Sequence, residues 1–143
     1  MLKPPSSFRQ EAGFTMIEVL ITIVIVSFGL LGFAGLLTKA IQDNRVAYMR
    51  SQATVLAYDI TERMRANRNA AITGGYTIAI GANAAGTTLA ALDTQGWKSN
   101  LATLLPGGDG AVNVDGNGNT TITIRWDEDG DGVPTLFTTQ TSI

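Results

Sequence analysis

The 143-residue chain contains neither cysteine nor histidine. Without cysteine there is no disulfide to staple a small domain, no thiolate nucleophile and no lipid-bearing anchor. Without histidine as well, the common nucleophile–base pairs and the His/Cys zinc sites are excluded. Proline is limited to four residues and charged residues to 15% of the chain. The net charge of −2 hides an uneven spread. Residues 1–38 balance at zero, 39–69 hold six basic against three acidic groups, and 70–143 hold two basic against seven acidic. An acidic C-terminal half argues against nucleic acid, which demands a basic patch. The carboxylates concentrate in loop-like stretches, and nothing places Lys98 beside a hydroxyl, so neither enzyme activity nor a cofactor is expected.

The longest uninterrupted feature is apolar. Phe14 to Leu37 is 24 residues whose only charge is Glu18. As a helix this run extends roughly 36 Å, enough to cross a hydrocarbon core with some tilt. Lys3 and Arg9 precede it, and Thr38-Lys39-Ala40 loosely imitates a cut site, as in a secretory signal. The apolar core of such a signal runs only about 7–15 residues, however. An ionisable group inside a span is by default functional, which singles out Glu18. Lys3 and Arg9 before the span are matched by Lys39, Arg45 and Arg50 after it, so charge does not orient it.

Beyond the span, Met49, Ala53, Leu56, Ile60 and Met64 recur every three or four residues. That spacing predicts an amphipathic helix over 39–69 with one apolar stripe. Arg63, Arg65 and Arg68 gather near its end, where the macrodipole favours cations, before Asn69 and Gly74-Gly75 break the pattern. Residues 70–143 predict a head of antiparallel strands. Tyr76, Ile78 and Ile80 alternate with Thr77 and Ala79, Val112 and Val114 flank Asn113, and Ile122, Ile124 and Trp126 alternate with Thr123 and Arg125. Asp115-Gly116 suits a hairpin turn, Pro134–Ile143 an edge strand, Leu89–Leu105 a short helix stopped by Pro106, and Gly81–Thr88 a loop. A head of 74 residues buries only about 60% of its unfolded surface, so packing onto the helix is the expected remedy.

Gly13-Phe14-Thr15-Met16-Ile17-Glu18-Val19-Leu20 resembles the class III signal of type IV prepilins. That resemblance implies a leader over 1–13, cleavage between Gly13 and Phe14, N-methylation of Phe14 by the same peptidase, and retention of the span over 14–38. It also implies an N-terminus in the cytoplasm, a head in the periplasm, and an α+β pilin-like fold with a long helix on a small antiparallel sheet. Gly29-Leu30-Leu31-Gly32-Phe33-Ala34-Gly35-Leu36 and the Asp59–Arg68 stretch are similar to minor pilins of the PilV type, also called type IV pilus modification proteins. So are Trp97, Leu104-Leu105-Pro106-Gly107-Gly108 and Arg125-Trp126-Asp127. Many pilins clamp the C-terminal region with a disulfide, and this chain departs from them there.

The resemblance implies a minor subunit of a type IV pilus. Its partners would be other minor and major pilins, prepilin peptidase, the inner-membrane assembly platform and, before assembly, lipid. It implies a part in priming assembly or at the tip, supporting adhesion and twitching. A type II secretion pseudopilin and a pilus-tip binding module for DNA or a receptor are the alternatives. In the first reading Glu18 meets a free Phe14 amine, its own or a neighbour's. Gly29, Gly32 and Gly35 are either close-packing positions or a weak point where the helix unwinds. Arg63, Arg65 and Arg68 either cap the helix or dock acidic neighbours. Asp127, Asp129 and Asp131 meet the first half of an EF-hand loop, but Thr138 stands where the bidentate Glu belongs. A polar turn is therefore expected there, with Ca²⁺ as the alternative.

Overall fold

The computed structural model describes residues 13–143, so the predicted leader, with Lys3 and Arg9, lies outside the described residues apart from Gly13. The order of elements is α1 (Met16–Ala66), α2 (Arg68–Ile72), α3 (Leu89–Leu104), β1 (Asp109–Val114), β2 (Asn119–Asp127) and β3 (Pro134–Ser142). This is the expected α+β arrangement, a long apolar-ended helix and a small antiparallel sheet. The chain divides into two compact units, Met1–Ile41 and Gln42–Ile143. Each is described by itself.

Among the described residues of the first unit the apolar side chains stand exposed. Phe14, Ile25 and Leu36 are 85%, 65% and 72% exposed, the condition of a helix whose solvent is lipid. The hydroxyls within it are satisfied internally: Thr22 donates to the Glu18 carbonyl at 2.7 Å, Ser27 to Ile23 at 2.7 Å and Thr38 to Ala34 at 3.0 Å. Such bonds to the carbonyl one turn back remove the cost of a bare hydroxyl in hydrocarbon.

The second unit is built on the predicted stripe. Met49, Ala53, Leu56, Ile60 and Met64 are all buried, against Tyr76, Trp97 and Leu101 and the sheet residues Val112, Ile122, Ile124 and Trp126. The sheet has the order β1-β2-β3, antiparallel throughout, with Val112 opposite Ile122 and Ile122 opposite Thr139. Strand β2 alternates buried and half-exposed residues, so its even-numbered positions from Thr120 to Trp126 face the core. Helix α3 begins with Thr88 as its cap, whose Oγ1 accepts from the Ala91 N–H at 3.2 Å, and ends before Pro106 as expected.

Two expectations need correction. The amphipathic helix ends at Ala66, earlier than Asn69, and five-residue α2 follows after a break at Asn67. There the side-chain Nδ2 of Asn67 donates to the Tyr76 hydroxyl at 3.3 Å, a tertiary bond that competes with helical continuation. Gly74, at φ +83°, then closes α2 as a left-handed cap. The alternation of Tyr76, Ile78 and Ile80 does not produce a strand. Only Ile78 pairs, exchanging two 2.9 Å bonds with Val112. Its flanks are bent away from β1: the Thr77 N–H donates to the Gly74 carbonyl, closing a turn that holds Tyr76, and the Ala82 N–H donates to the Ala79 carbonyl at 3.2 Å, closing one that holds Ile80, while Lys98 Nζ also donates to the Ala79 carbonyl at 3.0 Å.

Candidate processing and assembly site

Gly13, Phe14 and Thr15 precede the first turn of α1 and are exposed, non-helical chain. The Gly13–Phe14 bond thus lies in exposed chain outside the helix, the backbone state a peptidase requires. A Cβ on Gly13 would meet nothing within 4 Å among the described residues, so none of them demands a glycine there. Thr15 caps α1: its carbonyl accepts from the Glu18 N–H at 3.1 Å and its hydroxyl from the same N–H at 3.3 Å. Thr15-x-x-Glu18 is the sequence signature of a capping box, a signal that reading the segment only as a cleavage motif overlooks. Glu18 occupies the first turn of α1 with an exposed side chain. A carboxylate there is favoured by the positive end of the helix dipole.

Gly29, Gly32 and Gly35 lie within α1, and a Cβ at any of them meets no atom within 4 Å. Within the chain itself, no contact calls for their small size.

The three arginines separate. Arg63 Nε lies 3.1 Å from both carboxylate oxygens of Asp59, and its Nη1 lies 3.1 Å from Asp93 on α3. Asp93 in turn accepts from the Tyr76 hydroxyl at 2.7 Å, so Arg63 belongs to a network tying α1 to α3. Burial, and then the bond to Asp93, holds the Tyr76 phenol above its ordinary range. Arg65 pairs with Glu62 at 2.6 Å and reaches Thr141 Oγ1 at 3.3 Å and the Ser142 carbonyl at 3.5 Å. Arg68 is exposed on α2 and forms no ion pair or side-chain hydrogen bond among the described residues.

The acidic hairpin between β2 and β3 brings Asp127, Asp129 and Asp131 together, with carboxylate oxygens within 4.8 Å of one another. Two of the three already shape the turn. Asp127 accepts from the N–H groups of Gly130 at 2.7 Å and Gly132 at 3.2 Å, and Asp131 from that of Val133 at 2.7 Å. Glu128 leaves the cluster for a two-pronged bond with Arg50 of α1, at 2.9 and 3.1 Å. That bond lowers the Glu128 carboxyl below its ordinary pKa. Asp115 likewise closes the β1–β2 turn, accepting from the Asn117 N–H and from both the backbone and the side chain of Asn119.

Residues 8–34, a segment containing Gly13, Phe14 and Glu18, match the family described as the prokaryotic N-terminal methylation motif. The match supports a type IV pilin-like protein. It marks structural subunits rather than enzymes, and suggests processing by prepilin peptidase and assembly with other pilins. With the apolar first half of α1 it is consistent with a membrane-anchored subunit. No curated protein and no solved structure matches the chain.

Proposed function

We propose that this pilin-like chain is a minor pilin of the PilV type, cleaved between Gly13 and Phe14, methylated at the new amine, and assembled into a type IV pilus in a priming or tip complex. The observation that carries the reading is one segment: a methylation motif over 8–34 whose cut site is non-helical and whose Glu18, the one charge of the apolar run, sits in the first turn of a lipid-compatible helix. In this reading the ammonium of Phe14, its own or a neighbour's, meets Glu18. Insertion scales assign about 2.5–3.5 kcal/mol to a bare carboxylate at a bilayer centre; the first-turn position of Glu18 lowers that cost, and the pair offsets the remainder. The N-terminus faces the cytoplasm before assembly and the head the periplasm. Other minor and major pilins and the inner-membrane platform are the partners, and adhesion and twitching the processes supported. The test is the mature N-terminal mass with and without prepilin peptidase. A methylated Phe14 only in its presence is expected, and any other first residue would overturn the reading.

A pseudopilin of type II secretion shares the same motif. The Arg-Met-Arg-Ala-Asn-Arg stretch from Arg63 favours the pilus subunit. A deletion strain that loses motility and keeps secretion is the expected discriminator.

A further inference from the structure

The free edge of β3 is the strongest feature that the pilin-like reading leaves without a role. Which backbone groups point outward follows from register. Ile78 exchanges both its bonds with Val112, so the groups of Val112 face away from β2, and Val112 and Ile122 form a non-bonded pair. Ile122 therefore exchanges its bonds with Thr139, and by alternation Phe137, Thr139 and Thr141 also face β2. Leu136, Thr138, Gln140 and Ser142 turn their N–H and C=O groups to the free side. Consistent with this, the Ser142 carbonyl is the one that Arg65 reaches. Nine residues of edge strand carry no charged side chain, and proline stands only at its first position, Pro134. The devices that blunt an edge are thus missing along its length.

The opposite edge of the sheet is covered at its middle. Ile78 covers β1, and beyond it Lys98 takes the Ala79 carbonyl and Gly74 the Thr77 N–H. The open edge also borders a groove of about 80 Å³ between α1 and β3, walled by Ala57, Tyr58, Thr61, Phe137 and Thr139. A strand added beside β3 would point alternate side chains into it.

We propose that β3 is a strand-addition site for an extended segment of a different protein, with small side chains toward α1 and a carboxylate at the Ser142 end. Charge sets that polarity: Arg65, bonded through Nη1 to Glu62, turns its Nη2 toward Thr141 and Ser142, while Asp127, Asp129 and Asp131 flank the Pro134 end. The occupant is not a second copy. Two β3 strands pair about a two-fold axis and close as a dimer, which cannot propagate, whereas copies in a filament meet head to tail. Head-to-tail pairing of copies would need the edge that Ile78 covers at its middle. This last step rests on the filament reading above; the open edge itself does not.

The test uses the full chain in detergent micelles and the peptide Glu-Thr-Ala-Thr-Val-Thr-Ala-Thr-Lys, blocked at both ends, read by amide exchange. Free protein is expected to exchange quickly at Leu136, Thr138, Gln140 and Ser142 and slowly at Phe137, Thr139 and Thr141. The peptide should slow the first set by about tenfold or more. Thr138→Pro removes one outward N–H from an exposed edge position and should weaken the peptide by about tenfold, with Gln140→Pro as the second variant should the first misfold. Thr123→Ala, on the central strand, should leave binding unchanged. A peptide with lysine at both ends should bind several-fold more weakly. No protection at millimolar peptide, equal binding of the two-lysine peptide, or full binding to both proline variants would overturn the proposal. So would protection of the outward set that grows with protein concentration alone, which would make the second copy the occupant. The N-terminal mass is indifferent to all of these outcomes, so the two readings fail separately.

Discussion

Gly110→Ala should destabilise the head through one contact. A Cβ built on Gly110 of β1 falls 2.5 Å from Cη2 and 3.1 Å from Cζ2 of Trp97, and 2.9 Å from Cδ1 of Leu101. Gly110 has no left-handed φ, so the backbone accepts alanine and the cost is one of space. Trp97 is fully buried on α3 and donates its indole N–H to the Leu56 carbonyl of α1 at 2.9 Å. Moving the ring away would strand that donor, at about 1–3 kcal/mol, so the clash is not relieved cheaply. Overpacking of this kind costs about 2–3 kcal/mol. For a domain this small the corresponding fall in Tm is roughly 10–20 °C. The assay is thermal unfolding of the full chain in detergent, followed by near-UV circular dichroism. A double-mutant cycle isolates the cause, because phenylalanine lacks the part of the indole that carries Cη2 and Cζ2. Trp97→Phe alone destabilises by loss of volume and of the bond to Leu56. In that background Gly110→Ala should cost less than about 1 kcal/mol, a coupling of about 1–2 kcal/mol. Equal costs in both backgrounds, or a first cost under about 0.5 kcal/mol, would refute the argument.

Glu18→Ala should be cleaved and methylated normally yet enter pili poorly, measured as the ratio of sheared-pilus to membrane protein by immunoblot; normal incorporation would end the pairing role. Gly32→Ala adds a better helix former, by about 1 kcal/mol, at a site with room for it. If the helix unwinds there on assembly, incorporation should fall, and unchanged incorporation would argue against a required unwinding. Burial alone would raise the Asp109 carboxyl, but Lys98 and the N–H groups of Gly81 and Gly110 outweigh it, leaving the pKa below its ordinary 3.8. Its folded pKa is thus below its unfolded one, so its contribution is complete above about pH 4 and lost as pH falls through the lowered value. Melting temperatures measured down to about pH 2 should show a steeper acid limb for the wild type than for Lys98→Met, and parallel limbs would count against the ion pair.

How legible each part was depends on the distance over which its cause acts. The stripe Met49–Met64 and the alternation in β2 are local periodicities, and both faces were readable from spacing. Helix α3 carried its own punctuation in Thr88 and Pro106. The segment 76–80 shows the limit: its alternation is real, since Tyr76 and Ile78 are buried, but a strand also needs straight backbone. Turns closed by Thr77 on the Gly74 carbonyl and by Ala82 on the Ala79 carbonyl bend Tyr76 and Ile80 out of line with β1. Of the site, Gly13, Phe14 and Glu18 were readable as a motif, and the cap at Thr15 was there to be read. The ties Arg63–Asp93 and Arg50–Glu128 join residues 30 and 78 positions apart, and no spacing rule reaches that far. Gly110 was equally silent, because its requirement comes from Trp97 across the fold.

The loop from Ala79 to Gly86 rests Ala82 and Ala84 on the core and is otherwise gripped by its main chain. Lys98 takes the Ala79 and Ala82 carbonyls, Gln95 those of Ala84 and Gly86, and Asp109 the Gly81 N–H. Three distant side chains therefore dictate its course. Substitutions along its outer surface change what a neighbour meets while leaving the trace intact, and a change at Lys98 releases two of the five bonds, those nearest Ala79. The molecule thus separates the letters it displays from the hooks that hang them.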